Sequence, residues 1–465
     1  MDSENADNQT FDFTIFQSGN GPLSKAYSLQ NDGSIDKSST KMSSGRASRV
    51  SCTFAEFSKL LRNAKSDAAF CFGTHAPKYG DIVDITLSVN VNPAACILAR
   101  SAEFYQFTNG LGILLLDHDE GKDPGKYLSP EEFFEILSKI HPEIAHAAYI
   151  VRGSLSSGVH RSNEEPIAKG WHAYLLVKNA ADISRYGDVI FERLWLAGYG
   201  HIKLASNGAM HLRTISDKAV HQGCRLDYVG QPVLVGSGLS WSEPELIFKS
   251  GRVLDTSTLE DLNSTERTTL KRLQADAKLL AKPLAELREV SYTAQQVRKM
   301  VANGIDETSA KNTMADFKNS NHSRFIGDFP LVFDSLGNVT VHDVLANPQL
   351  YDQQTLADPV EGLEYGRGKA IFYWNKGTPV IHSFAHGKSI YTLGQPEEAK
   401  SFPGIDERPC FRVYSTFMKI GKKTFPPGVY MHGFKPGTEK KEPTLIDKCI
   451  CGEFTLMLFL VIPMG

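Results

Sequence analysis

The chain has 465 residues, 41% of them hydrophobic and 22% charged, with a formal charge of −3. That is the balance of a soluble globular protein with room for about three domains. It carries no overall basic excess, so any nucleic-acid surface must be local. The seven cysteines are scattered and only Cys449 and Cys451 are close. No Cys-x-x-Cys spacing marks a structural zinc site, and an odd set of thiols suits a reducing, cytoplasmic setting. The acidic, polar N-terminus has no apolar signal segment. The one long apolar run, Phe454 to Met464, is too short to span a bilayer, so no membrane partner is expected.

Residues 1–50 are rich in Ser, Asn, Asp and Gly and read as a partly disordered N-terminus. A capping box at Thr53 and Glu56, followed by Phe54, Phe57, Leu60 and Leu61 at helical spacing, predicts the helix that opens the folded region.

Residues 51–250 read as one α/β (α+β) domain with a mixed sheet. Strands are predicted over Ile82–Val91, Gly112–His118, Ala147–Val151, His172–Val177, His201–Ala205, Met210–Ile215 and Arg225–Val229. Ser129, Pro130 and Glu132 supply an N-cap, a first-turn proline and a capping-box acid for a helix buried through Phe133, Phe134, Ile136 and Leu137. A second helix runs near Ile183–Ala197 and stops at Gly198-Tyr199-Gly200. Residues 251–325 read as a solvated helical connector, helical over 257–304 with a break at Pro283. A small accessory unit is expected over 326–400, with a further α/β unit over 401–465. No internal repeat at a fixed period is present.

The run Ile113-Leu114-Leu115-Leu116 ends in Asp117-His118-Asp119. Residues two apart on a strand face the same way, about 7 Å apart, so two carboxylates project together from a buried strand. Like charges so placed repel, and a hard divalent ion such as Mg²⁺ or Mn²⁺ removes that cost. The plain alternative is a strand end whose acids are solvated. Three further segments follow. Val151 to His160 runs a strand into a Ser/Gly turn carrying Ser156, Ser157 and Gly158, where hydroxyls and backbone N–H groups can meet an anion or form an ordinary loop. Gly170-Trp171-His172 places a His at the mouth of an apolar strand, where many histidines are simply structural. The stretch Arg213-Thr214-Ile215-Ser216-Asp217, with Arg225 to Gly230 after it, offers a third carboxylate and several cations.

This order of Asp-x-Asp, Ser-Ser-Gly with Gly-x-His, and Asp before Ala-Val, over roughly residues 80–240, resembles the core of the archaeo-eukaryotic primase superfamily. The likeness is to primase–polymerases of phages and integrated elements. It implies a DNA primase/polymerase, a nucleotidyltransferase in replication of a phage or mobile element. Asp117, Asp119 and Asp217 would be both the catalytic residues and the ligands of two divalent ions, with Mg²⁺ or Mn²⁺ as cofactor. Ser156, Ser157, His172 and Arg213 would bind the nucleotide. The expected partners are a single-stranded DNA template and nucleoside triphosphates. His160 rivals His172, because about a dozen residues part Gly158 from His172, and Asp227 rivals Asp217. Phe104, Tyr105 and Phe107 are available for base stacking or for core packing.

The segment Thr378 to Gly387 resembles one that follows primase modules in phage primase–helicases, and residues 408–452 resemble the opening of the helicase-like region. The phosphate loop such a motor needs does not occur in this sequence. The expectation is a truncated or frameshifted primase–helicase, served by a helicase in trans; a natural apolar strand at the end of the last unit is the alternative. Two competing functions are a metal-dependent nuclease or replication initiator and an inactive nucleic-acid-binding module. His382 and His386 are four residues apart, not the two an initiator's His pair needs.

Overall fold

The computed structural model describes residues 5–39, 42–87, 90–119, 127–166, 170–375, 377–385 and 389–394, and five short strands between 410 and 448. Glu120, Lys169, His386, Cys449, Cys451 and the apolar segment from Phe454 onward lie outside the described residues. The chain divides into two units, Met1–Gly394 and Gln395–Gly465.

The first unit opens with strands β1 (Thr10–Ser18), β2 (Lys25–Leu29), β3 (Ile35–Ser39) and β4 (Gly45–Thr53). This corrects the expectation of a partly disordered N-terminus. Phe11 and Phe13 alternate with exposed Thr10 and Asp12, a period-two pattern that overrides the polar composition. Helix α1 (Phe54–Arg62) follows, with the expected capping box at Thr53. β5 (Ala68–Cys71), β6 (Ile82–Ile85) and β7 (Ile97–Leu98) complete a five-stranded sheet in the order β5-β1-β4-β6-β7. Most pairs in it are antiparallel, whereas β6 and β7 run parallel.

Next come β8 (Gly112–Asp119), α2 (Pro130–Ile140), β9 (Tyr149–Gly153), β10 (Val159–Arg161), β11 (Gly170–Val177), α3 (Ile183–Leu196), β12 (His201–Leu204) and β13 (Met210–Arg213). The strands β14 (Val233–Val235), β15 (Leu239–Trp241) and β16 (Leu246–Lys249) close this region. The central sheet has the order β16-β9-β11-β8 and is antiparallel throughout. One of its faces packs Leu114, Leu116, Trp171, Ala173 and Leu175 against Phe133 of α2 and Ile190 of α3. The other packs Ile113, Leu115, Ile150, Tyr174 and Leu176 against Phe13, Phe57 and Phe70. The near-continuous apolar reading of β8 follows from this burial on both faces. Arg225–Val229, expected as a strand, makes only an isolated bridge between Asp227 and Phe70. Its main chain bonds to Phe70 of the edge strand β5, while the Asp227 side chain reaches Tyr174 and His172 of the central sheet.

Helix α4 (Ser264–Ala302) is continuous through Pro283, contrary to the expected break. At 39 residues it is about 58 Å long. Leu270, near its start, packs into the core beside the central sheet, and Tyr292 and Met300, near its end, pack into a separate core. That second core also takes α5 (Glu307–Asn319), so much of the expected connector belongs to the accessory region. Strands β17 (Arg324–Ile326), β18 (Pro330–Phe333), β19 (Gly337–Thr340), β20 (Thr355–Leu356), β21 (Ala370–Asn375), β22 (Thr378–Ser383) and β23 (Ser389–Gly394) form a seven-stranded mixed sheet there. In the second unit, Cys410–Tyr414, Gly428–His432 and Thr444–Lys448 form a three-stranded antiparallel sheet, and Met418–Ile420 pairs with Lys423–Phe425.

Candidate active site

The strand face that is apolar at Ile113 and Leu115 turns acidic at Asp117 and Asp119. His172 on β11 lies directly opposite Asp117 on one side and Arg152 of β9 on the other. Its Nε2 is 3.5 Å from Asp117 Oδ1, and its Nδ1 is 2.9 Å from Asp227 Oδ1. The Tyr174 hydroxyl donates to the other Asp227 oxygen at 2.7 Å. Burial alone would lower the basicity of His172, but the flanking Asp227 and Asp117 carboxylates overturn that and raise it. Burial would likewise push the Asp227 carboxyl up, but His172 and Tyr174 hold it below the usual range. Asp227 is therefore an anchoring carboxylate, 2% exposed, that keeps His172 charged and fixed in orientation.

Asp217 arrives from a different element. Its backbone N–H donates to the Asp117 carbonyl at 2.9 Å, and its side chain caps the short helix Lys218–Val220 by accepting from Ala219 N–H at 3.0 Å. His118, on the opposite face of β8 from Asp117, is 2% exposed. Its Nδ1 is 2.7 Å from the Ile215 carbonyl, while Nε2 accepts from Leu128 N–H at 3.1 Å. These two bonds fix the tautomer, with the proton on Nδ1. The strand therefore holds the segment carrying Asp217 through its edge carbonyl and through His118, a role for His118 that its position between two acids conceals in the sequence.

Burial, Asp119 and Asp217 all raise the Asp117 carboxyl, with His172 and Lys25 opposing them. Its Oδ1 is buried and has no hydrogen-bond partner. That oxygen has only the 3.5 Å ion-pair approach of His172 Nε2, and the charge of a hard divalent cation would offset the repulsion from Asp119 and Asp217. Among the described residues no three acid, His or Cys side chains are grouped so that they could hold a metal ion as they stand. The fit rests on the donor chemistry of the acids alone.

The Ser/Gly turn is a single 3₁₀ turn, Leu155–Gly158. Ser157 is buried and donates to the Gly170 carbonyl at 2.8 Å, which ties the turn to the start of β11. Ser156 is half-buried and shares a 2.9 Å hydrogen bond with Ser154. A Cβ at Gly170 would lie 2.7 Å from the His118 carbonyl, so only glycine fits beside Asp119. His160 turns its Nδ1 to the Gly158 carbonyl at 2.9 Å on β10, in a separate two-stranded pairing with β15. Of the two candidate histidines, His172 is the one brought against Asp117. Arg213 ends β13, donates to the Leu212 carbonyl at 3.2 Å and acts on the buried phenol of Tyr365, as does Asp119. Tyr105 is a core residue, 1% exposed, Phe104 packs partly buried against the same cluster, and Phe107 packs against the cores on the two faces of the central sheet.

Comparison of the chain with family models, with curated proteins and with solved structures finds no match.

Proposed function

We propose that this chain is a template-directed nucleotidyltransferase, a DNA primase/polymerase acting on nucleoside triphosphates along a single-stranded DNA template. The observation that supports this reading is that Asp119 and Asp217 both act on the buried Asp117 carboxyl, Asp217 being tied to Asp117 by a main-chain bond, with His172 paired to the same carboxylate. Asp117, Asp119 and Asp217 would hold two divalent ions, Mg²⁺ or Mn²⁺. Such ions lower the proton affinity of an attacking hydroxyl and neutralise a leaving pyrophosphate.

The chain's own residues account for the rest. Cationic His172, anchored by Asp227, offers Nε2–H toward the acids and toward any phosphate held there. The Ser156 turn presents a hydroxyl at the same end of β11. Arg213 supplies a planar cation suited to bidentate phosphate contact. In the reaction the 3′-oxygen bonds to the α-phosphorus, the bridge to the β-phosphate breaks and the hydroxyl proton is lost. A template would be held through backbone and stacking contacts, because a polymerase must accept every sequence. The replication setting in a phage or mobile element, and a helicase acting in trans, belong to the same proposal.

The test is incorporation of labelled nucleotides by the full chain on single-stranded DNA, with and without a primer, with Mg²⁺ and Mn²⁺ supplied separately. Substituting both Asp117 and Asp119 by Ala is expected to abolish the product while the thermal melt is retained. Synthesis that survives in the double variant refutes the assignment. Template degradation without synthesis would instead mark a nuclease.

A further inference from the structure

The β2–β3 hairpin lies outside every segment that carried the sequence motifs. Its register places Tyr27 directly opposite Lys37, and Lys25 is two residues from Tyr27 along the same strand. All three side chains therefore share one face. The parallel pairing of β14 with β2 holds the hairpin in place. Tyr27 is 4% exposed and its hydroxyl completes no hydrogen bond, yet Ser156 and Asp119 are its polar neighbours. The lysine face thus looks across at the Ser/Gly turn and the acids.

A third lysine comes from the accessory region. Gly366 sits so close to the hairpin that a Cβ there would lie 2.5 Å from the Lys37 carbonyl. Its φ of +111° is a second reason for glycine. The same loop is fixed at Glu361, which accepts from Ser206 N–H at 3.0 Å and from the Ser206 hydroxyl at 2.7 Å. Lys369 leaves this loop into β21 and faces Lys25 and Asp36. Lys37 in turn has Lys25, Asp119, Lys369 and Asp117 as its charged neighbours.

Among the described residues none of these three lysines forms an ion pair, and each is half-buried. Lys25, then burial, hold the Lys37 ammonium down to about 7. Three partly desolvated cations facing one another destabilise the empty site, and a multiply charged anion removes that penalty.

We propose that Lys25, Lys37 and Lys369 form a polyphosphate grip beside Asp117 and Asp119, so that the N-terminal hairpin and the accessory sheet jointly hold the triphosphate tail of the incoming nucleotide. The identity of the tail as a nucleotide's rests on the function proposed above; the anion grip itself does not. Three lysines match a polyphosphate better than a single phosphodiester, which carries one charge per unit. Lysine also suits a tail that must leave as pyrophosphate, because its point charge imposes no bidentate geometry.

The experiment measures calorimetric binding of inorganic tripolyphosphate and of a short single-stranded oligonucleotide to the full chain, for wild type and for Lys25→Gln, Lys37→Gln and Lys369→Gln. Each substitution is expected to weaken tripolyphosphate binding about tenfold, the value of one lost charge contact, and the oligonucleotide much less. Lys→Arg at each position keeps the charge and is expected to restore affinity, which separates charge loss from misfolding. Unchanged tripolyphosphate affinity in the Gln variants overturns the grip. So does a loss confined to the hairpin lysines or to Lys369 alone, or one seen only for the oligonucleotide. Loss of tripolyphosphate binding in a chain that incorporates no nucleotide would leave the grip standing and remove the polymerase reading. Normal binding in Gln variants of an active polymerase would do the reverse.

Discussion

The backbone N–H of Asp217 donates to the carbonyl of Asp117 at 2.9 Å. One hundred positions of chain separate the two residues, and a main-chain bond that no side-chain substitution removes holds them together. Asp227, the other acid considered for the same role, is tied by its side chain to His172 and Tyr174. The two acids therefore differ in what they hold. Asp217→Ala is expected to cost about 1 kcal/mol through loss of its cap to Ala219, while lowering nucleotide incorporation more than about 10²-fold. Asp227→Ala leaves His172 charged and buried without its partner and is expected to cost about 3–5 kcal/mol. Urea melts beside incorporation rates check this. Equal destabilisation by the two variants would contradict it.

His118 acts through other groups. Its ring joins the Ile215 carbonyl to the Leu128 N–H, so it sets the distance between β8 and the segment bearing Asp217. His118→Phe keeps the aromatic volume against Trp171 and Phe133 and removes both hydrogen bonds, at an expected cost of about 1–3 kcal/mol. Because the carboxylates then lose their alignment, the divalent-ion concentration for half-maximal incorporation should rise several-fold. A purely structural residue would lower stability and leave that midpoint in place. Titrating Mg²⁺ and Mn²⁺ against incorporation distinguishes the two.

The central strands and their acids were legible because β8 is an unbroken apolar run: Ile113, Leu115, Asp117 and Asp119 share one face, and the change from apolar to acidic marks where the core ends. His172 was legible from the glycine and apolar strand around it. The resemblance put Asp217 ahead of Asp227, but what each acid holds was not legible, because their partners, Asp117 for one and Tyr174 for the other, are remote in the chain. The N-terminal strands carried a readable signal in Phe11 and Phe13, masked by the surrounding Ser, Asn and Asp. The lysines on the β2–β3 hairpin had no such signal. Lys25 and Lys37 are twelve residues apart in a polar stretch, and only the strand register puts them on one face.

Pro283 was misread for a related reason. It lies in the stretch of α4 where Leu279 is 69% exposed, Leu280 83% and Leu287 66%, so the carbonyl left without a donor can be hydrated. Packing of Leu270 at one end and of Met300 at the other keeps the helix continuous. Pro283→Ala should then restore the missing bond and stabilise the chain by up to about 3 kcal/mol. A rise in thermal midpoint checks it. A fall would mean that Pro283 itself supports the helix at this position.

The last prediction concerns acid stability. His221 is 6% exposed, and its ring nitrogens make no well-formed hydrogen bond, with the Leu115 backbone their nearest partner. It lies so close to α3 that a Cβ at Gly187 would be 2.1 Å from its Nδ1. Burial depresses its basicity to about 4 from an ordinary 6.5, against the opposing pull of Asp217. The unfolded chain therefore takes up a proton below pH 6.5 that the folded chain refuses until about pH 4. Stability from this residue is complete above the higher value and falls as the pH drops toward the lower one. At pH 5 the loss should be about 2 kcal/mol. His221→Leu removes the titration and should flatten the dependence across that window. Gly187→Ala should destabilise the wild type and be better tolerated beside His221→Ala, whose smaller side chain leaves room for the added methyl. Urea melts at pH 5 and pH 7 on these variants measure both effects. An unchanged pH dependence in His221→Leu would assign the acid sensitivity to another group.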